Sequence, residues 1–193
     1  MRNKPVRRTA ERAASASGAW VVFLVGFMGA GKSSVGQALA RRLRCSFEDL
    51  DLRIAVREGR TIEQIFQQSG EAAFRDAEHA ALKEFLAEQD SSPRVLALGG
   101  GAFAQARNVS LVRAGAGHVV FLDAPVEELF CRCCQQNVER PLLRDLQQFR
   151  QLYESRRPSY EQAEHQIETG GRDVDAVAAD VARALGLYPN EAE

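Results

Sequence analysis

The sequence predicts an α/β fold: one domain built on a five-stranded parallel sheet with helices on both faces. Three observations predict it. Short apolar runs alternate with helix-patterned stretches along most of the chain, the order that builds a parallel sheet covered on two sides. The leading run, Trp20-Val21-Val22-Phe23-Leu24-Val25, is continuously apolar, as in a strand buried on both faces. Directly after it comes Gly26-Phe27-Met28-Gly29-Ala30-Gly31-Lys32-Ser33, which fits G-x-x-x-x-G-K-[ST], the phosphate-binding P-loop.

That motif has a chemical logic. Its glycines permit backbone angles that a side chain would forbid, so successive N–H groups can turn inward around phosphate oxygens. Lys32 adds a mobile positive charge for the β- and γ-phosphates, and Ser33 offers a hydroxyl to Mg²⁺. Behind the motif Val35, Ala38, Leu39, Ala40 and Leu43 recur at helical spacing. The N-terminus of that helix points free amides at the same anion. The expected phosphate contacts are Gly29, Ala30, Gly31, Lys32, Ser33 and Ser34.

The later elements follow in order. Cys45-Ser46-Phe47-Glu48-Asp49-Leu50-Asp51 reads as a short strand ending at the acidic pair. Thr61-Ile62-Glu63-Gln64 has the form of a capping box, opening a helix that stops near Gly70. A second helix from about Glu71 carries Phe74, Ala77, Ala81, Phe85 and Leu86 inward, until Asp90-Ser91-Ser92-Pro93 breaks it. Val95 to Leu98 and His118 to Leu122 are the next strands, the first followed at once by Gly99-Gly100-Gly101. A helix from about Val126 to Gln136 leads to a polar, Arg- and Gln-rich stretch ending at Arg157-Pro158. Gln166 to Thr169 reads as the last strand and Asp173 to Leu185 as the closing helix. In such sheets ligands sit at the carboxyl ends of the strands, so the acidic pair and the triple glycine share a rim with the P-loop.

Composition narrows the function classes. The 193 residues suit one domain with a sizeable core. Lys and Arg number 25 against 26 Asp and Glu, a net charge of −1 that argues against a broad nucleic-acid surface. No apolar run approaches the ~20 residues that cross a bilayer. Cys45, Cys131, Cys133 and Cys134 lack the spacing of a disulfide framework, and reduced thiols in a cytoplasmic protein are the simpler reading. Cys131-Arg132-Cys133-Cys134 lacks the second ligand pair of a zinc site and reads as a helix turn with small soft side chains. Residues 1–18 are basic, with Arg2, Lys4, Arg7, Arg8 and Arg12 against Glu11, and are expected to be a disordered tail; an organellar targeting remnant is the other reading.

Five blocks, in order, carry a resemblance to the shikimate kinases, in the nucleoside-monophosphate-kinase-like group of P-loop folds. They are the P-loop at 26–33, Asp49-Leu50-Asp51, the stretch from Gly70 to Glu78, Leu98-Gly99-Gly100-Gly101-Ala102, and Arg140-Pro141-Leu142-Leu143. The resemblance runs from about Val21 to Leu187 and implies a kinase domain over 19–188 with a mobile lid at about 138–157. It implies transfer of the γ-phosphate of MgATP to the 3-hydroxyl of shikimate, a step of aromatic amino-acid biosynthesis.

It also implies roles. Asp49 joins Ser33 on Mg²⁺, and Asp51 contacts the acceptor hydroxyl. Lys32, Asp51 and Arg140 are the catalytic set, with Arg140 closing from the lid. Arg75 and Arg156 grip the substrate carboxylate, as planar guanidinium groups do. Gly99, Gly100 and Gly101 let backbone approach the substrate ring, with Phe66 and Phe74 beside it. Arg132 and Arg140 lie on the ATP side, near a base loop at Gly170-Gly171. Taken alone, Arg75 reads as a surface helix charge, Asp49 and Asp51 as helix caps, and the two phenylalanines as core. Shikimate and ATP are the implied partners of a monomer, with neither nucleic acid nor membrane. The alternatives are a related small-molecule kinase such as gluconate kinase, or a non-catalytic binding relative; the latter would have lost Lys32, an acid or a substrate arginine. A GTPase switch would need an Asn-Lys-x-Asp, which the sequence lacks.

Overall fold

In the computed structural model the described residues are 20–88, 92–115, 117–135 and 145–187. Five parallel strands stand in the order β2-β3-β1-β4-β5: β1 Val21–Val25, β2 Ser46–Asp49, β3 Arg94–Ala97, β4 His118–Asp123 and β5 His165–Glu168. The register is unbroken; Phe23 of β1 pairs with Leu96 of β3 and with Val119 of β4. Val22 to Val25, all of β3 and Val119 to Asp123 are buried, so helices cover the sheet on both faces.

The helices are α1 Lys32–Leu43, α2 Leu50–Glu58, α3 Ile62–Ala87, α4 Ala106–Ala114, α5 Val126–Gln135, α6 Leu146–Tyr160 and α7 Val174–Leu185. α1 packs on α7, α3 on α2 and α4, and α5 on α6. The capping box forms: the Gln64 amide N–H donates to Thr61 Oγ1 at 3.2 Å, and the Thr61 N–H donates to Gln64 Oε1 at 2.9 Å. Such a cap contributes about 0.5–2 kcal/mol. Gly70, at φ 79° and ψ 177°, breaks the helical path inside α3, so the expected stop is present as a kink between two helical pieces.

The structure departs from the sequence expectation at the acidic pair. Asp51 does not end a strand: β2 closes at Asp49, and Asp51 lies in the first turn of α2. Asp49 caps that helix, because its Oδ1 accepts the Asp51 N–H at 3.0 Å. The expected lid at about 138–157 overlaps α6. Residues 146–157 belong to α6, whose Phe149 is fully buried and whose Tyr153 is 7% exposed. Their rings pack edge-on against Phe27 of the P-loop, with centroids 5.0 and 5.5 Å apart. Burying one such side chain contributes about 1.5–3 kcal/mol to the packing of α6 on the P-loop. The remainder, with Arg140, lies outside the described residues, as does the tail at 1–18.

Because all strands run parallel, their carboxyl ends form one rim. The P-loop leaves it after β1, Asp49 closes β2, Gly99 to Gly101 follow β3, Asp123 closes β4, and Thr169 follows β5.

Candidate active site

The loop between β1 and α1 has the geometry that its glycines predict. Gly26, Gly29 and Gly31 take φ of 143°, 79° and 87°. At Gly29 a Cβ would lie 2.6 Å from the Leu129 carbonyl oxygen, so only glycine lets the loop turn against α5. Ala30 is fully buried and can meet a ligand only through its backbone. Lys32 Nζ donates to the carbonyls of Gly26 and Phe27 at 3.0 and 2.9 Å, which folds the cation over the loop mouth. Ser33 and Ser34 are exposed in the first turn of α1, where amides have no helical partner and no acidic residue opposes an anion.

The acidic pair divides its work. Ser33 Oγ donates to Asp49 Oδ2 at 2.6 Å, so the hydroxyl and carboxylate expected around a metal are already in contact. Asp51 turns the other way. A Cβ on Gly99 would sit 2.6 Å from Asp51 Oδ1, so this carboxylate rests on the glycine backbone.

The same glycine floor receives two guanidinium groups. Arg75 donates to Glu71 at 3.0 Å and to both oxygens of Glu78 at 3.1 and 3.2 Å. A Cβ on Gly101 would lie 2.7 Å from each terminal nitrogen of Arg75, so that side chain also stacks on bare backbone. Arg156 donates to the Gly100 carbonyl at 3.3 Å, and the Tyr160 hydroxyl donates to the same oxygen. Phe66 and Phe74 stand beside them with centroids 4.6 Å apart. Phe74 is core at 5% exposed, whereas Phe66, at 40%, presents an open ring.

Glu78 was not singled out by the sequence, although it sits one helical turn beyond Arg75. It is 1% exposed, and burial pushes its carboxyl up to about 7, with the Arg75 guanidinium pulling back and Asp51 adding to the rise. Behind it Asn108 of α4 is fully buried. Asn108 donates to Glu78 at 3.4 Å and to the Ala102 carbonyl at 3.1 Å, and its Oδ1 lies 2.8 Å from His79 Nδ1. A value raised above the ordinary 4.5 means that folding favours the neutral acid. That stability is complete below about pH 4.5 and is lost as pH rises through about 7. Glu78→Gln, neutral throughout, should therefore show a smaller fall in Tm than the wild type between about pH 5 and pH 8. Thermal melts at both pH values check this; an unchanged fall would mean that Glu78 is not the group responsible.

At the end of β4, buried Asp123 ties three elements together. It accepts from Tyr153 at 2.9 Å, Arg157 at 3.3 Å, Gln166 at 3.1 Å and the Ala124 N–H at 3.0 Å. This fixes α6 on the sheet and so fixes where Arg156 points.

On the far side of the P-loop a cleft of about 290 Å³ is lined by Gly29, Gly31, Ser34, Arg132, Thr169 and Arg172, among others. Arg132 donates to the carbonyls of Gly29 at 3.3 Å and Thr169 at 2.7 Å, and to Glu128 at 2.6 Å. The Gly171 N–H also donates to Glu128, at 2.9 Å. Arg132 therefore stands between the P-loop and the Gly170-Gly171 loop, as a nucleotide-side residue should. Cys133 is buried, Cys131 and Cys134 are exposed, and none of the three is in a disulfide.

Comparisons with known proteins agree with this geometry. The family model for shikimate kinase matches residues 28–186. A shikimate kinase of Streptomyces avermitilis is 45% identical over 170 residues, covering 86% of this chain and 95% of that protein. One from Persephonella marina is 40% identical over 152 residues, covering 78% and 90%. Among solved structures, the shikimate kinase from Acinetobacter baumannii in complex with shikimate superposes with a TM-score of 0.80 at 36% identity, over 88% of this chain and 94% of that one. A sugar kinase from Janibacter sp. reaches 0.65 at 14% identity over 91% and 99%, which is a likeness of fold alone.

Proposed function

Since the chain belongs to the shikimate kinase family, we propose that its glycine floor is the shikimate site and its P-loop the ATP site of one phosphoryl transfer. The enzyme moves the γ-phosphate of ATP to the 3-hydroxyl of shikimate, giving shikimate 3-phosphate and ADP. One observation carries the assignment of residues: Asp51, Arg75 and Arg156 converge on Gly99, Gly100 and Gly101 beside the phosphate loop. That is one carboxylate for a hydroxyl and two guanidinium groups for a carboxylate, on a floor with no side chains of its own. The relatives at 36–45% identity are shikimate kinases, so a related small-molecule kinase such as gluconate kinase is not favoured.

Arg75 and Arg156 hold the substrate carboxylate and so fix the ring over the floor. Asp51 then accepts a hydrogen bond from the 3-hydroxyl, turns its oxygen toward the γ-phosphorus, and takes the proton as the new bond forms. Lys32 leaves its carbonyl partners for the phosphate oxygens and offsets the charge that spreads over them in the transition state. Arg132 borders the nucleotide, and Arg140 closes over the phosphates from the segment at 138–157. Phe66 and Phe74 flank the ring. The domain extends over 19–188 behind a basic tail at 1–18, and acts as a cytoplasmic monomer on small molecules, with no nucleic acid or membrane.

The residues fit Mg²⁺. Ser33 and Asp49 are an oxygen-only donor pair in contact and open to solvent, and this ion takes few protein ligands, keeping water and phosphate oxygens for the rest. When bound there, it would offset the negative charge of the terminal phosphates.

Arg75→Lys tests the grip. It keeps a positive charge beside Glu78 but loses the planar fork. KM for shikimate should rise by about tenfold or more, with kcat and KM for ATP little changed, because the contact exists in ground and transition states alike. Equal losses for both substrates would place Arg75 in the scaffold instead.

A further inference from the structure

At the opposite rim of the sheet, where β4 and β5 begin, two of the chain's three histidines meet a glutamate. We propose that His118, Glu164 and His165 form a site for one divalent transition-metal ion of the Zn²⁺ type, separate from the Mg²⁺ of the phosphate loop.

Strand register places the imidazoles. Val120 of β4 pairs with His165 of β5, so those two residues share a face of the sheet. His118 lies two residues earlier in β4, and side chains two apart along a strand point the same way. Glu164 enters from the turn that immediately precedes β5. One donor atom from each residue lies within 4.8 Å of the others, and His118 Nδ1 and Glu164 Oε2 are 4.0 Å apart. Tetrahedral zinc, with bonds of about 2.0–2.1 Å, spaces its ligands roughly 3.4 Å apart. Closure therefore asks for about 1 Å of inward movement. Glu164 is the side chain with room to give it, being 60% exposed, while His118 is held at 24%. Two imidazoles and a carboxylate with one position left to water is a donor set that suits zinc and disfavours Mg²⁺, which prefers oxygen alone.

The ion would clamp the start of β5 to β4. β5 is an edge strand paired only with β4, and Gln166 and Glu168 lie exposed along it. A bound metal stabilises the folded state by mass action and leaves the phosphate rim untouched.

The test uses the full chain, freed of metal by chelation. Titration with Zn²⁺ should show one site per chain with micromolar Kd, and saturation should raise Tm by several degrees. Co²⁺ in its place should give a visible spectrum without sulfur-to-metal charge transfer. Glu164→Gln, an exposed change that spares the fold, and His118→Ala should each weaken binding by about tenfold or more. Neither should alter shikimate-dependent ADP release in metal-chelated, Mg²⁺-replenished buffer. Binding that survives in the His118→Ala/His165→Ala variant, or that shows thiolate bands and is lost in Cys131→Ser/Cys134→Ser, would overturn the assignment. So would no saturable binding below about 100 μM.

Discussion

Lys32→Ala should leave the fold intact and abolish nearly all turnover. The side chain opens α1 at the loop mouth, is half-buried and donates to the main-chain carbonyls of Gly26 and Phe27; it is not one of the buried core residues. Its charge matters most when negative charge spreads over the transferring phosphoryl group, in a loop whose other donors are backbone amides and serine hydroxyls. Loss of one such preorganised donor costs about 10²–10³-fold in kcat, and here the donor is a full cation. Steady-state kinetics beside a thermal melt separate the two effects. An unchanged Tm with kcat down at least 10²-fold is the expected pair, and a variant keeping more than about a tenth of wild-type kcat would remove Lys32 from the mechanism.

Asp51→Asn should be nearly as damaging, for a different reason. The amide keeps the size and much of the hydrogen bonding against Gly99 but loses both charge and basicity. If Asp51 takes the proton of the 3-hydroxyl, kcat should fall by about 10²–10⁴-fold with ATP binding near normal. A risen KM with kcat largely kept would make it a substrate holder instead. Asp49 gives the contrast. Its Oδ2 is already bonded to Ser33 and its Oδ1 caps α2 through the Asp51 N–H. Asp49→Asn should therefore respond to added Mg²⁺, recovering part of its rate, and Asp51→Asn should not. Mg²⁺ rescue of Asp51→Asn would mean that the two acidic roles are reversed.

What could be read from the chain depended on how much each element advertises itself. β1 and the P-loop announced themselves, because a continuous apolar run and a glycine motif both need no partner to be recognised. The capping box and the Gly70 break were equally local. Three helices were not assigned. α2 buries only Leu50 and Ile54 while Leu52 and Val56 stand 68% and 84% exposed, so it shows no apolar stripe. α4 is short, with Asn108 among its few buried residues. α6 buries just Phe149, Tyr153 and Tyr160, and Pro158 sits inside it where a proline reads as an end. Its aromatics become intelligible only once Phe27 is seen packing between two of them.

The site divides in the same way. Residues within a short motif were found directly, and Arg75 and Arg156 came through the family resemblance. Glu78 and Asn108 were missed, because a buried acid on a helix and an asparagine on another are related only in three dimensions. The available signal was Glu78 lying three residues after Arg75, one turn along the same helix face. Asp51 reads as the end of a strand, whereas Asp49 closes that strand and caps the next helix, so the helix-cap reading of Asp49 is the one the structure shows.

The central claim is that one carboxylate and two guanidinium groups on a glycine floor select a hydroxylated ring bearing a carboxylate. Coupled measurement of ADP release with shikimate, quinate and gluconate side by side, at equal MgATP, tests it most directly. Shikimate should support turnover with kcat/KM at least about 10²-fold above gluconate, whose flexible open chain does not hold carboxylate and acceptor hydroxyl in the fixed geometry of a ring, while quinate, a ring with the same groups, should fall between them. Gluconate turned over as well as shikimate, or no release above background with any of the three, would contradict it.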